Sequence, residues 1–300
     1  MFNTHRPGTL AAAALACLIA SSGLGADTRE TTTISALAER THFHGIAVAR
    51  HDPSLIYLAT HHGLYGMSPD GGAWLISDHE DDLMGFTTHP QADKLLFASG
   101  HPAQGGNLGF IVSDDAGRSW EKRADGVDGP VDFHQMDVSK ADPDVIYGVY
   151  RGLQRSTDGG HSWERVGRQP DGLISLAASA RDVNTVYAAT QQGLWKSTDA
   201  GRSWTSRAHP EPRPVSKVHV TDDGQIQAFI VGVGLVRASE NDLEWEIISR
   251  DFGPRVILHM DVDPADPDRM YAVMVDTQAR QQSIWRTRDG GRNWSRVGVS

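Results

Sequence analysis

The sequence predicts an all-β chain, a β-propeller of six blades. Six segments reach a tryptophan by nearly the same route, at Trp74, Trp120, Trp163, Trp204, Trp245 and Trp294. These tryptophans are 46, 43, 41, 41 and 49 residues apart. A period in the forties marks an array of supersecondary units that bury their apolar faces only against one another. Between the tryptophans run short β-branched and aromatic stretches bounded by turn residues, with no sustained helical period. Four strands per repeat at this spacing is the propeller pattern. Seven blades is the alternative, if the segment before the first repeat forms a blade of its own.

Residues 1–26 differ from the rest. His5 and Arg6 precede an apolar stretch from Leu10 to Ala20, and small residues follow up to Ala26. This reads as a signal peptide for export to the periplasm or beyond, leaving residues 27–300 as a single domain. The apolar stretch is short for a membrane span, and no later one is longer. Cys17 is the only cysteine; cleavage there as a lipoprotein is the less favoured reading. The domain therefore contains no disulfide and no thiolate ligand. A formal charge of −10 with no basic run excludes a phosphate-backbone partner.

Each repeat divides into strands A to D. Strand A is short and apolar, as in Gly45-Ile-Ala-Val48. An Asp-Pro turn follows, then strand B, as in Val145-Ile-Tyr-Gly-Val-Tyr150. A Gly-Leu pair opens strand C (Gly63-Leu64, Gly152-Leu153, Gly193-Leu194, Gly234-Leu235). An Asp/Gly turn leads to a brief strand D. The segment from Thr31 to Ala38 is expected to supply a strand that closes the ring against the last blade.

The Asp/Gly turns are Ser113-Asp-Asp-Ala-Gly-Arg-Ser-Trp120, Ser156-Thr-Asp-Gly-Gly-His-Ser-Trp163, Ser197-Thr-Asp-Ala-Gly-Arg-Ser-Trp204 and Thr287-Arg-Asp-Gly-Gly-Arg-Asn-Trp294. Ser68-Pro-Asp-Gly-Gly-Ala-Trp74 is one residue short, and the segment ending at Trp245 has lost its glycine. In such a turn the carboxylate accepts from nearby backbone N–H groups and glycine permits positive φ. The pattern resembles the Asp-box, or BNR repeat, of sialidases, other glycoside hydrolases and sorting-receptor ectodomains. The resemblance implies the fold over residues 40–300 and a structural role for these aspartates.

In a propeller, the start of strand A and the end of strand B share one face near the axis, and the A–B and C–D turns lie on the other. Aligning the blades puts His44, Met84 and His134 at the start of strand A, and His61-His62 and His101 at the end of strand B. These lie on blades one to three. Nine of the 14 histidines fall between His42 and His134. Imidazoles are common metal ligands, zinc accepts His with carboxylate, and a thioether favours copper. The expected function is transition-metal binding through His44, His61, His62, Met84, His101 and His134, copper preferred and zinc the alternative. Asp82 and Asp132 are expected as partners that orient the histidines. In the rival reading they are the carboxylate pair of a glycoside hydrolase.

The strings His42-Phe-His-Gly-Ile-Ala-Val48, Ala59-Thr-His-His-Gly-Leu64, Asp82-Leu-Met-Gly-Phe86 and Asp132-Phe-His134 are similar to a bacterial group of exported Asp-box propellers described as glycosylhydrolase-like. Sialidase chemistry is not expected, because no axial arginine cluster with a Tyr/Glu pair is evident. A protein-interaction scaffold is the third reading, and a monomer is expected.

Overall fold

The computed structural model describes Met1, residues 31–204 and residues 206–299. The signal-peptide reading and Cys17 fall outside the described residues. The chain forms six antiparallel sheets, each a meander of four consecutive strands, with a fifth strand added to the first sheet. The innermost strands are Phe43–Val48, Asp82–Thr88, Gln135–Val138, Leu173–Ala178, Val215–Val220 and Arg255–Asp263. Each packs against the innermost strands of both neighbouring sheets, and the first packs against the sixth. The result is a closed six-bladed propeller.

Six apolar clusters fill the six gaps between blades. The second strand supplies the recurring anchor of this packing. Tyr57, Tyr147, Tyr187 and Tyr271 stand at one position of four blades and are fully buried; Phe97 takes that place in the second blade. Burying a side chain of this size is worth roughly 1.5–3 kcal/mol. These residues lie opposite Ala47, Asp137, Ala177, Asp261 and Thr87 of the innermost strands, and Gln227 of the fifth blade lies opposite His219. This register fixes one level of the channel wall.

The Asp/Gly turns are locked from within. Asp115 Oδ1 accepts from the N–H groups of Arg118 and Ser119 at 2.9 Å each, while Ser119 Oγ donates to Oδ2 at 2.7 Å. Asp158, Asp199 and Asp289 repeat the arrangement, and the donated hydrogen bonds lower each carboxyl to about 2. These carboxylates are committed to their own turns. The glycine two residues after the aspartate docks these four turns on the preceding blade. A Cβ on Gly117 (φ +87) would sit 2.2 Å from Leu64 Cδ2, and one on Gly160 (φ +88) 2.0 Å from Phe110 Cε1. The leucine of the Gly-Leu pair at Leu64 is thus the seat of the next blade's turn.

Ring closure differs from the sequence expectation. Thr31–Thr33 does form a strand, but it pairs with Gly72–Leu75 of the first blade and not with the last blade. Ile34–Arg40 is a helix, capped by Thr33 Oγ1, which accepts from Ala36 N at 3.2 Å. Seven residues are too few for a helical period to register in the sequence. Ile34 and Leu37 of this helix enter the apolar cluster shared with Tyr271, Val273 and Ile284 of blade six. The seam is therefore closed by side chains. Phe43 N donates to Gln282 Oε1 at 2.7 Å, Val48 N to Asp261 Oδ2 at 2.8 Å, and Arg286 Nη1 to Pro69 O at 2.7 Å.

Candidate metal centre

A β-bulge re-aims side chains at the level where the blades align. In blades one, four, five and six the innermost strand shifts register there, leaving His44, Ile174, Ser216 and Leu258 without a cross-strand partner. The extra residue of a bulge is freed from the pleat and turned toward a new direction. Blade one uses that freedom for an imidazole. In blade two Met84 stays paired with Ser99, and the shift follows it.

Two groups of potential ligands result. In the first, His44, His61 and Asp82 bring one ligand atom each to within 4.8 Å of one another. His61 Nδ1 is 2.7 Å from Asp82 Oδ2, and His44 Nδ1 is 3.5 Å from Asp82 Oδ1. The two Nε2 atoms of His44 and His61 are 3.2 Å apart, with the rings edge to face. Met84 Sδ lies against His44 Nδ1. In the second group His101 Nε2 and His134 Nε2 reach Asp132 Oδ2 at 2.9 and 2.7 Å. Asp82 and His101 face each other across the strand pair, so the two groups adjoin.

The electrostatics suit a cation. Burial pushes His44 down to about 4, against the pull of Asp82, so its ring is neutral and able to ligate. His101 is raised, first by the Gly106 carbonyl that its Nδ1 meets at 2.9 Å, then by Asp132. That same contact turns Nε2 toward Asp132. Asp132 is 3% exposed, and among the described residues neither its Oδ1 nor the buried Asp82 Oδ1 makes a hydrogen bond. A buried carboxylate oxygen without a donor costs free energy unless something positive completes it. Each ligand group carries one such oxygen.

Of the residues singled out in the sequence, His44, His61, Met84 and Asp82 come together, as do His101, His134 and Asp132. The two aspartates sit within direct ligating reach and not only behind the histidines. His62 belongs to neither group: it is exposed, with its ring 6.5 Å from that of His61. His42 stands closer, at 5.5 Å from the His61 ring. His259 also lies within electrostatic reach of His44 and is held neutral by burial, at about 3. Its place one residue beyond the bulge at Leu258 was the available signal.

No family model matches the chain, and no curated protein matches it. Solved structures do. The GH74 enzyme of Niastella koreensis superposes with a TM-score of 0.59 at 14% identity, over 85% of this chain and 45% of that one. The GH74 xyloglucanase from Xanthomonas campestris gives 0.54 at 18% identity, over 89% and 46%. A chain of the COPII outer coat gives 0.57 at 9% identity, over 86% and 74%. The chain spans less than half the length of the two GH74 enzymes. At these identities the likeness is one of β-propeller fold.

Proposed function

We propose that this is an exported, monomeric propeller that binds transition-metal ions, copper before zinc, for metal handling outside the cytosol or for a metal-dependent reaction. One ion would be held by His44, His61 and Asp82 with Met84 as a soft neighbour, and a second by His101, His134 and Asp132. The observation that carries this reading is the pair of buried oxygens, Asp82 Oδ1 and Asp132 Oδ1, that make no hydrogen bond among the described residues, each beside two converging imidazoles. Two imidazoles and a carboxylate satisfy zinc or copper, and the thioether tilts the first group toward copper. Export rests on the reading of residues 1–26.

The test is elemental analysis of protein purified from its own compartment, followed by copper and zinc titration of the metal-free chain. Binding at the wild-type stoichiometry by a His44→Ala/His101→Ala/His134→Ala variant would sink the proposal. Hydrolysis of a glycoside panel by chelator-treated protein, abolished in Asp82→Asn or Asp132→Asn, would move the function to the hydrolase reading.

A further inference from the structure

Beyond the histidine groups, the axial channel holds a second feature of different chemistry. A cavity of about 250 Å³ occupies the second half of the innermost strands and opens toward the turns joining the first and second strands. Its wall includes Asp137, Lys140, Lys217, His219 and Asp261. Three of these, Asp137, His219 and Asp261, occupy the channel level opposite the second-strand aromatics and Gln227.

Most charges here are matched, while the Asp223 carboxylate at the rim accepts from the Thr221 hydroxyl. Lys140 Nζ donates to both oxygens of Asp137 at 3.1 and 3.0 Å, and Ala178 N adds a bond at 2.8 Å. At the rim Arg50 Nη2 holds both oxygens of Asp222 at 2.9 and 2.7 Å. Asp263 is held by Arg269. Asp261 accepts from Val48 N, and its other oxygen is 3.7 Å from His219 Nε2. Burial raises Asp261 to about 6 and lowers His219, so near neutral pH Asp261 is mainly ionised opposite a neutral imidazole. Lys217 is left over. Among the described residues its ammonium makes no hydrogen bond and no ion pair, and only the more distant Asp137 and Asp261 favour its charge.

We propose that this cavity binds a small monocarboxylate whose carboxylate pairs with Lys217 Nζ. An ammonium without an acceptor leaves its N–H donors unsatisfied, and a carboxylate brings acceptor oxygens and an opposite charge directly against it. A dianion such as phosphate would meet Asp137 and Asp261 with a charge to spare. A cation would have to displace the ammonium. Burial lowers Lys217, so binding should draw a proton from solution whenever the free amine is partly neutral.

The experiment is calorimetric titration of the full chain with acetate and with lactate at constant ionic strength, against inorganic phosphate and ethylammonium. Saturable binding of the carboxylates is expected, weakened about tenfold or more in Lys217→Met and kept in Lys217→Arg. Unchanged metal stoichiometry at the histidine groups shows that Lys217→Met is folded. Absence of saturable carboxylate binding, equal affinity in Lys217→Met, or tighter binding of phosphate or ethylammonium would each overturn the proposal.

Discussion

The two ends of the axial channel are built from the same six strands and have opposite unmet needs. At the histidine end, in blades one to three, the leftover groups are acceptors: Asp82 Oδ1 and Asp132 Oδ1 make no hydrogen bond among the described residues. In the chamber at the other end the acids have donors, and the leftover group is the ammonium of Lys217. One end is short of donors and the other of an acceptor. A repeat architecture supplies equivalent positions, and the side chains placed at them decide what each end can hold. The turns with aspartate and glycine belong to neither end, since their carboxylates are spent on their own backbone.

That contrast can be broken most severely through the scaffold. Gly160→Val puts a Cβ into the Phe110 ring at a left-handed backbone position and should cost roughly 3 kcal/mol in stability, read by urea unfolding. Both ends should then weaken together; loss at one alone would show that they do not share the ring. Next come the ligand groups. Asp82→Asn and Asp132→Asn should each lower metal affinity by about 10- to 100-fold at one group while leaving acetate binding at Lys217 unchanged, as read by parallel titrations.

A smaller effect separates the ends by pH in the metal-free chain. His44, at about 4, and His259, at about 3, are depressed from 6.5 in the folded state. The stability they contribute is fully present above 6.5 and is lost as pH falls toward 4 and 3. Asp261, raised from 3.8 to about 6, acts in reverse: its contribution is present below 3.8 and lost as pH rises through 6. Unfolding free energy measured from pH 4 to 8 should drop by about 2 kcal/mol on the acid side, and His44→Gln should flatten that limb. Asp261→Asn should steepen it. The smallest effect is expected at His62→Ala, which should change metal affinity less than about twofold by titration, because the exposed ring lies outside both groups.

The repeat made the architecture legible before any single residue was weighed, because equal spacing in sequence becomes equal angle around an axis. The same register brought His44, His61, His101 and His134 to one face. Other features had no such ruler. The bulge that frees His44 is a pairing event between strands, hinted at only by Gly45 after it. The helix Ile34–Arg40 is shorter than two periods, so its apolar residues could pass for a strand. The chamber was least visible. Lys217-Val-His219 and Asp261-Val-Asp263 alternate as any half-buried strand does. That Lys217 lacks a partner among the described residues becomes plain only when six strands converge and the acids beside it are found already engaged.

Asp261 belongs to two systems at once. Its Oδ1 lies near His219 in the chamber, while its Oδ2 holds Val48 N across the junction of the first and last blades. Among the described residues that junction has no continuous backbone ladder and depends on a few side chains and one short helix. A ligand that changes the charge or position of Asp261 therefore pulls on the clasp of the ring. In mechanical terms the chamber is a strain gauge for the join, and the first hydrogen exchange on loosening should be seen at Val48.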